Sequence, residues 1–128
     1  LLRESDILSI HSALTPETTG LFNKHVFSKM KRTAVFINTA RGGVHNETDL
    51  IEALQNGTIW GAGLDVTNPE PMQANNPLLQ MPNVAVLPHI GSATLEARTG
   101  MARLAAENII SYYKTGKPVM LVNPKALL

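Results

Sequence analysis

The sequence predicts an α/β fold: the C-terminal half of a doubly wound, Rossmann-like parallel sheet, followed by a long helix and a tail. Three observations lead there. Apolar β-forming runs alternate with helical segments in the order strand, helix, strand, helix, strand, loop, strand, helix. Connections of crossover length favour parallel pairing, with helices on both faces of the sheet. Four strands amount to about half of a usual sheet of this class.

The elements follow in order. The opening LLRESD looks like the last turn of a helix and carries no initiator methionine, so the chain is expected to be a piece of a longer protein. Residues 6–12 (DILSIHS) read as the first strand and TPETTG as a turn. NKHVFSKM, 23–30, reads as a short helix with Asn23 as its N-cap. TAVFINT, 33–39, is a nearly continuous apolar run of the kind a sheet covered on both faces requires. NETDLIEALQNG, 46–57, has Asn46 as cap, Glu47 and Asp49 in the first turn, a stripe of Leu50, Ile51 and Leu54, and Gly57 as its stop. In the third strand, IWGAGLDV at 59–66, Gly61 and Gly63 predict close approach of another element. The Pro- and Asn-rich stretch 67–83 is longer than a connection needs, which points to function. VAVL, 84–87, is the fourth strand. Ser92 then opens a helix over 93–115, with Ala97, Met101, Leu104, Ala105, Ile109 and Tyr112 on one face, and Gly116 closes it. The domain division expected is 1–92 for the sheet and 93–128 for the helix and tail.

Bulk properties remove several classes of function. The chain has 128 residues, 44% hydrophobic and 16% charged, with a formal net charge of +1. That balance provides no electrostatic reason for a nucleic-acid or acidic-membrane partner. Cysteine is absent, which excludes disulfides and cysteine-based zinc sites and is compatible with a reducing compartment. No apolar run approaches the ~20 residues of a membrane span, and no signal-peptide pattern is present. The four histidines, His11, His25, His45 and His89, lack metal-ligand spacing, so no metal is expected. His25 and His45 are expected at the surface. His11, near the end of the first strand, is expected to be a packed or supporting ring.

Ligands of open α/β sheets bind beyond the carboxyl ends of the strands. Just past three of those ends stand Arg41 in NTARGG, Asp65 and Glu70 in GLDVTNPEP, and His89 in LPHIGS. Parallel strands bring these ends to one edge, whatever the distance along the chain. An arginine grips a carboxylate bidentately and polarises a neighbouring carbonyl. A histidine gives a proton to the carbonyl oxygen or takes it back, and a glutamate beside it orients the ring and favours its charged form. The set suits reduction of a 2-oxo acid by a hydride donor, and it contains no nucleophile. Two shorter patterns carry no such meaning. GAG at 61–63 lies within a strand and lacks the third glycine of a dinucleotide loop, and RGG at 41–43 lacks the spacing and Lys-Ser/Thr of a P-loop.

FINTARGGVHNETDLIEAL, GAGLDVTNPEPM and LPHIGSAT together resemble the D-isomer-specific 2-hydroxyacid dehydrogenases, nearest to their glyoxylate/hydroxypyruvate reductase branch. The resemblance spans essentially the whole chain, at family-like spacing. It implies that Arg41 holds the substrate carboxylate and carbonyl, that Glu70 pairs with His89, and that His89 is the proton donor. It implies further that Asp65 contacts the nicotinamide carboxamide, and that Ala13, Thr39, Ala40, Arg41, His89, Gly91 and Ser92 line the cofactor, NAD or NADP. The expected activity is reduction of glyoxylate or hydroxypyruvate to D-2-hydroxy acids by a cytoplasmic homodimer. The partner is a small 2-oxo or 2-hydroxy acid, with no nucleic acid and no membrane.

The departures from the family pattern are small. Ala13 stands where many members have proline, VHNET replaces a more usual VVDE, Thr67 replaces an aromatic, and Asn76 stands where the branch often has histidine. The GxGxxG loop and the residue that separates NAD from NADP are not in this sequence, so the isolated 128 residues are expected to be inactive. Readings that compete are an NAD(H)-sensing corepressor-like binding protein of the same fold, and a phosphoglycerate, D-lactate or formate dehydrogenase.

Overall fold

The computed structural model describes residues 1–123, which fall into two compact units, the first Leu1–Gly91 and the second from Ser92 onward. In the first unit the elements run β1 (Ile7–Ile10), α1 (Lys24–Phe27), β2 (Val35–Asn38), a 3-10 turn (Gly42–Val44), α2 (Glu47–Gln55), β3 (Gly61–Leu64), a second 3-10 turn (Pro77–Gln80) and β4 (Val84–Val86). The second unit contains α3 (Leu95–Thr115).

The sheet is parallel throughout, in the order β1-β2-β3-β4, with Ile10 opposite Asn38 and Asn38 opposite Leu64. That register levels the carboxyl ends of β1, β2 and β3, which is what sets up a shared edge. The strands are shorter than the apolar runs that encode them, because the residues beyond each run turn away to form loops. Asp65 lies just past β3, yet its backbone N–H still donates to the Asn38 carbonyl at 3.0 Å.

Helices on both faces were the expectation, and within this unit α1 and α2 share one face. They pack on each other, and the Lys24 backbone N–H donates to the Asp49 carboxylate at 2.8 Å. The reason is topological. With strands added in sequence order, every crossover steps the same way, and right-handed crossovers stepping the same way land on the same side. Strand burial alternates accordingly: Leu8 and Ile10 of β1 are buried while Ile7 is 67% exposed. The core on the covered side joins Leu8, Phe27, Phe36, Leu50, Leu54 and Leu64, with Phe27 edge-on to Phe36 at 5.2 Å between centroids.

The capping predictions largely hold. The Asn23 side chain accepts from the His25 and Val26 amides, and the Asn46 side chain accepts from Asp49. Close approach at β3 is also observed: a Cβ on Gly61 would lie 2.7 Å from the Asn83 carbonyl oxygen, and that contact lets β4 pack beside β3. The long loop is partly ordered by the turn at Pro77–Gln80, which Asn76 caps and which buries Leu78 completely.

In the second unit, Thr94 rather than Ser92 opens the helix. Its hydroxyl accepts from the Ala97 amide at 3.1 Å, and Ser92 and Ala93 precede the cap. Gly116 ends α3 in the left-handed conformation, its N–H on the Tyr112 carbonyl. No residue of α3 is buried among the described residues.

Candidate functional site

Glu70 and His89 meet at the edge where β3 and β4 end. His89 Nδ1 lies 2.6 Å from Glu70 Oε1. A carboxylate only accepts, so Nδ1 carries the proton and Nε2 is left for exchange with a ligand. The second Glu70 oxygen accepts from the Thr67 amide at 3.3 Å. The hydrogen bond from His89 holds the Glu70 carboxyl below its usual range, with smaller contributions from the Thr67 amide and from the positive charge of Arg41. Both side chains of the pair are somewhat over 40% exposed, so the contact orients a ring and adds little stability.

The backbone around His89 is held from below. His89 has φ +55, a left-handed conformation uncommon for a residue with a side chain. Asp65, buried at the end of β3, accepts from the Ile90 amide with one carboxylate oxygen and from the Gly91 amide with the other, each at 2.8 Å. Two charge-assisted bonds from one buried group over-determine the turn and fix where the imidazole leaves the chain. Asp65, expected as a contact to a cofactor, is here the strut of the His89 loop.

Arg41 stands on the neighbouring strand end. Its guanidinium is exposed and donates from Nη1 to the Ala40 carbonyl at 2.7 Å. With His11, Ser12, Ala13, Thr39 and Ala40 it lines a cleft of about 730 Å³. A second hollow of about 550 Å³ is lined by Asp65, Glu70 and His89 together with apolar Met72, Leu79 and Pro88. Thus Glu70 and His89 are in contact, Asp65 supports them, and Arg41 faces the adjoining cleft and is near enough for its charge to act on Glu70. Ser92 begins the second unit and is described only there. Among the described residues no group of His, Asp and Glu could hold a metal ion.

The cleft beside Arg41 suits a nicotinamide dinucleotide. Its walls are small (Ala13, Thr39, Ala40), and Ser12 Oγ is buried there with no hydrogen-bond partner among the described residues. An orphaned hydroxyl on a ligand-facing wall is a group waiting for a polar partner. His11, expected as a packed or supporting ring, is not packed: it is exposed on the wall of this cleft, with Nε2 2.9 Å from Ser9 Oγ.

His45 is a clear correction. It was expected at the surface and is buried, 3% exposed, its ring edge-on to Phe36 at 5.8 Å. The 3-10 turn after Arg41 rolls the chain inward, and a bridge to Phe22 holds it there. Burial pushes the imidazole down to about 4. Unfolded, it takes a proton at about 6.5, so stability is lost as pH falls from there towards 4, up to about 3 kcal/mol in total. Thermal melts should show Tm falling across that window, and His45→Val should flatten the fall.

Asn38 was also missed as a site residue. It is fully buried at the last position of β2, its Oδ1 accepting from the Ala40 amide and its Nδ2 donating to the Arg41 carbonyl. A polar residue ending an apolar run just before a turn was the available signal.

Comparison with known proteins follows the same lines. The family described as D-isomer specific 2-hydroxyacid dehydrogenase, NAD binding domain, matches residues 1–91. The human glyoxylate reductase/hydroxypyruvate reductase is 51% identical over 119 residues, covering 93% of this chain and 36% of that protein. The crystal structure of the NADPH-dependent glyoxylate/hydroxypyruvate reductase of Sinorhizobium meliloti, in complex with NADP and malonate, superposes with a TM-score of 0.87 at 38% identity, covering 93% of this chain and 37% of that one. The NAD-complexed D-isomer specific 2-hydroxyacid dehydrogenase of Lactobacillus delbrueckii has a TM-score of 0.86 at 32% identity, covering 94% of this chain and 41% of that one. The chain thus spans well under half the length of the relatives it matches.

Proposed function

The chain belongs to the D-isomer specific 2-hydroxyacid dehydrogenase family, and from that premise we propose that it is the C-terminal part of a reductase that converts glyoxylate or hydroxypyruvate to D-2-hydroxy acids with NAD(H) or NADP(H). The observation that carries the proposal is the His89–Glu70 pair, set beside Arg41 at one edge of a parallel sheet. Arg41 exchanges its hold on the Ala40 carbonyl for the substrate carboxylate and polarises the adjacent carbonyl. His89 delivers the proton from Nε2 to the carbonyl oxygen, while Glu70 keeps Nδ1 protonated and the ring aimed. Ala13, Thr39, Ala40, Asp65, Gly91 and Ser92 hold the dinucleotide, which when bound supplies the hydride. Residues 1–92 form the latter half of the nucleotide-binding domain, and 93–128 return the chain towards a substrate domain. The expected protein is a cytoplasmic homodimer, and no helix among the described residues is long and apolar enough to cross a membrane.

The test is oxidation of NADH and NADPH by the full-length protein with glyoxylate and with hydroxypyruvate, run beside the isolated 128 residues. Turnover by the whole protein alone is the expected result. Absence of turnover with both substrates despite tight dinucleotide binding would overturn the reductase reading. Turnover by the isolated chain would show that the half-site is sufficient.

A further inference from the structure

We propose that His45 is a positioning residue for Arg41, acting through the side-chain amide of Asn38. The proposal rests on the reading of Arg41 as the carboxylate-binding group. It starts from a departure already visible in the sequence, VHNET in place of the more usual VVDE, which puts an imidazole where an apolar side chain is common.

The hydrogen-bond inventory fixes the arrangement. The Ala40 amide is a donor, so the Asn38 atom 3.0 Å away is its oxygen, and the Arg41 carbonyl is an acceptor, so the atom 2.9 Å from it is the nitrogen. That same nitrogen lies 2.9 Å from His45 Nδ1. His45 Nδ1 must therefore accept, which makes the ring neutral with its proton on Nε2, a nitrogen buried without a partner among the described residues. Both amide hydrogens of Asn38 are now committed, one to His45 and one to Arg41. The side chain is completely buried, so an uncommitted hydrogen would have no water to turn to. Without an acceptor at position 45, Asn38 can satisfy that hydrogen only by rotating. Rotation takes the side-chain amide away from the Arg41 carbonyl, leaving it only the Val44 amide, and frees the Ala40 amide, so the turn from which the guanidinium projects loses both of its ties to Asn38.

The experiment compares wild type, His45→Val and His45→Asn in the full-length protein. Valine restores the common apolar residue and removes the acceptor. Asparagine places an oxygen where Nδ1 stands. Two readouts are taken: KM and kcat for glyoxylate, and hydrogen exchange at the Ala40 amide relative to the core amides of Leu8 and Phe36. With His45→Val, KM is expected to rise about tenfold, the worth of about one hydrogen bond, with a smaller change in kcat. Ala40 exchange should quicken by a similar factor while the core amides keep their protection. His45→Asn should recover most of both. An unchanged KM and unchanged Ala40 exchange in His45→Val would overturn the proposal. So would equal effects of valine and asparagine, since packing alone would then account for them. If the wild-type protein turns over neither oxo acid, the reductase reading fails, and Ala40 exchange still decides the role of His45.

Discussion

If the proposed reductase reading holds, replacing His89 by alanine in the full-length protein should lower kcat for glyoxylate reduction by ~10²- to 10⁴-fold, the usual worth of a positioned general acid. Three features of the site set that expectation. Glu70 holds Nδ1 at 2.6 Å, so the ring presents Nε2 in one orientation. Asp65 fixes the two amides that follow His89, so the ring's base cannot drift. No other proton donor among the site residues stands in the same hollow: its remaining lining groups are carboxylates, a threonine and apolar side chains. The loss should appear in kcat, with dinucleotide affinity changed much less, because the proton is needed only as the carbonyl oxygen gains charge. Unfolding is not an alternative source of the effect. The His89–Glu70 pair is largely solvated, and exposed pairs of this kind contribute about 0–1 kcal/mol, so Tm should move by only a few degrees. A variant that kept wild-type kcat would remove His89 from the proton-transfer role, whatever else the edge of the sheet does.

The contrast between legible and hidden residues has a physical origin. Strand alternation, helix caps and the terminal glycine of α3 are local signals, and they placed the four strands and three helices in the right order. The meeting of the candidate residues was legible because a topological rule maps distant residues to one edge: Glu70 and His89 are nineteen residues apart and touch. Asn38 and His45 obey no such rule. Their partnership depends on a 3-10 turn folding the chain back beneath β2, and that turn follows from how two loops pack, which no short window encodes. For the same reason His45 reads as a surface residue: its neighbours Asn46 and Glu47 are polar because they open α2, and only the tertiary bridge to Phe22 turns the ring inward. Asp65 was legible as a ligand-edge carboxylate but not as a strut, since both its acceptors' partners come from a loop that begins after another strand. That α1 and α2 share one face within the first unit follows from strand order, which periodicity does not report.

Gly42→Ala should be the most disruptive single-methyl change in the first unit. A Cβ at that position would sit 2.0 Å from the Thr67 carbonyl oxygen, 2.2 Å from its carbon and 2.8 Å from the Asn68 nitrogen. All three are backbone atoms, so no side-chain rotation relieves the overlap. Relief requires the Arg41 turn and the 67–70 loop to separate, and both are tied: Asn38 and the Gly42–Val44 turn hold the first, while the Thr67 hydroxyl on the Pro69 carbonyl and the Thr67 amide on Glu70 hold the second. Overpacking of ordinary core sites costs about 1–3 kcal/mol, and a backbone-on-backbone clash belongs at or beyond the top of that range, about 4 kcal/mol. For a unit of this size that corresponds to a fall in Tm of roughly 15 °C or more. Gly43→Ala is the control: its Cβ would meet only side-chain atoms, the Leu14 methyls at 3.2 and 3.3 Å and Asn68 Nδ2 at an ordinary 3.9 Å, and a leucine side chain can give way. The two variants differ by one position and the same added atom, so a large gap between their melting temperatures isolates the approach of the Arg41 turn to the Glu70 loop. Because that approach also sets the spacing of Arg41 from Glu70 and His89, whatever Gly42→Ala protein remains folded should bind a 2-oxo acid poorly, whereas Gly43→Ala should bind it nearly as wild type does. Equal stability and equal substrate affinity for the two would mean that the loops separate freely, and that the catalytic edge does not depend on their contact.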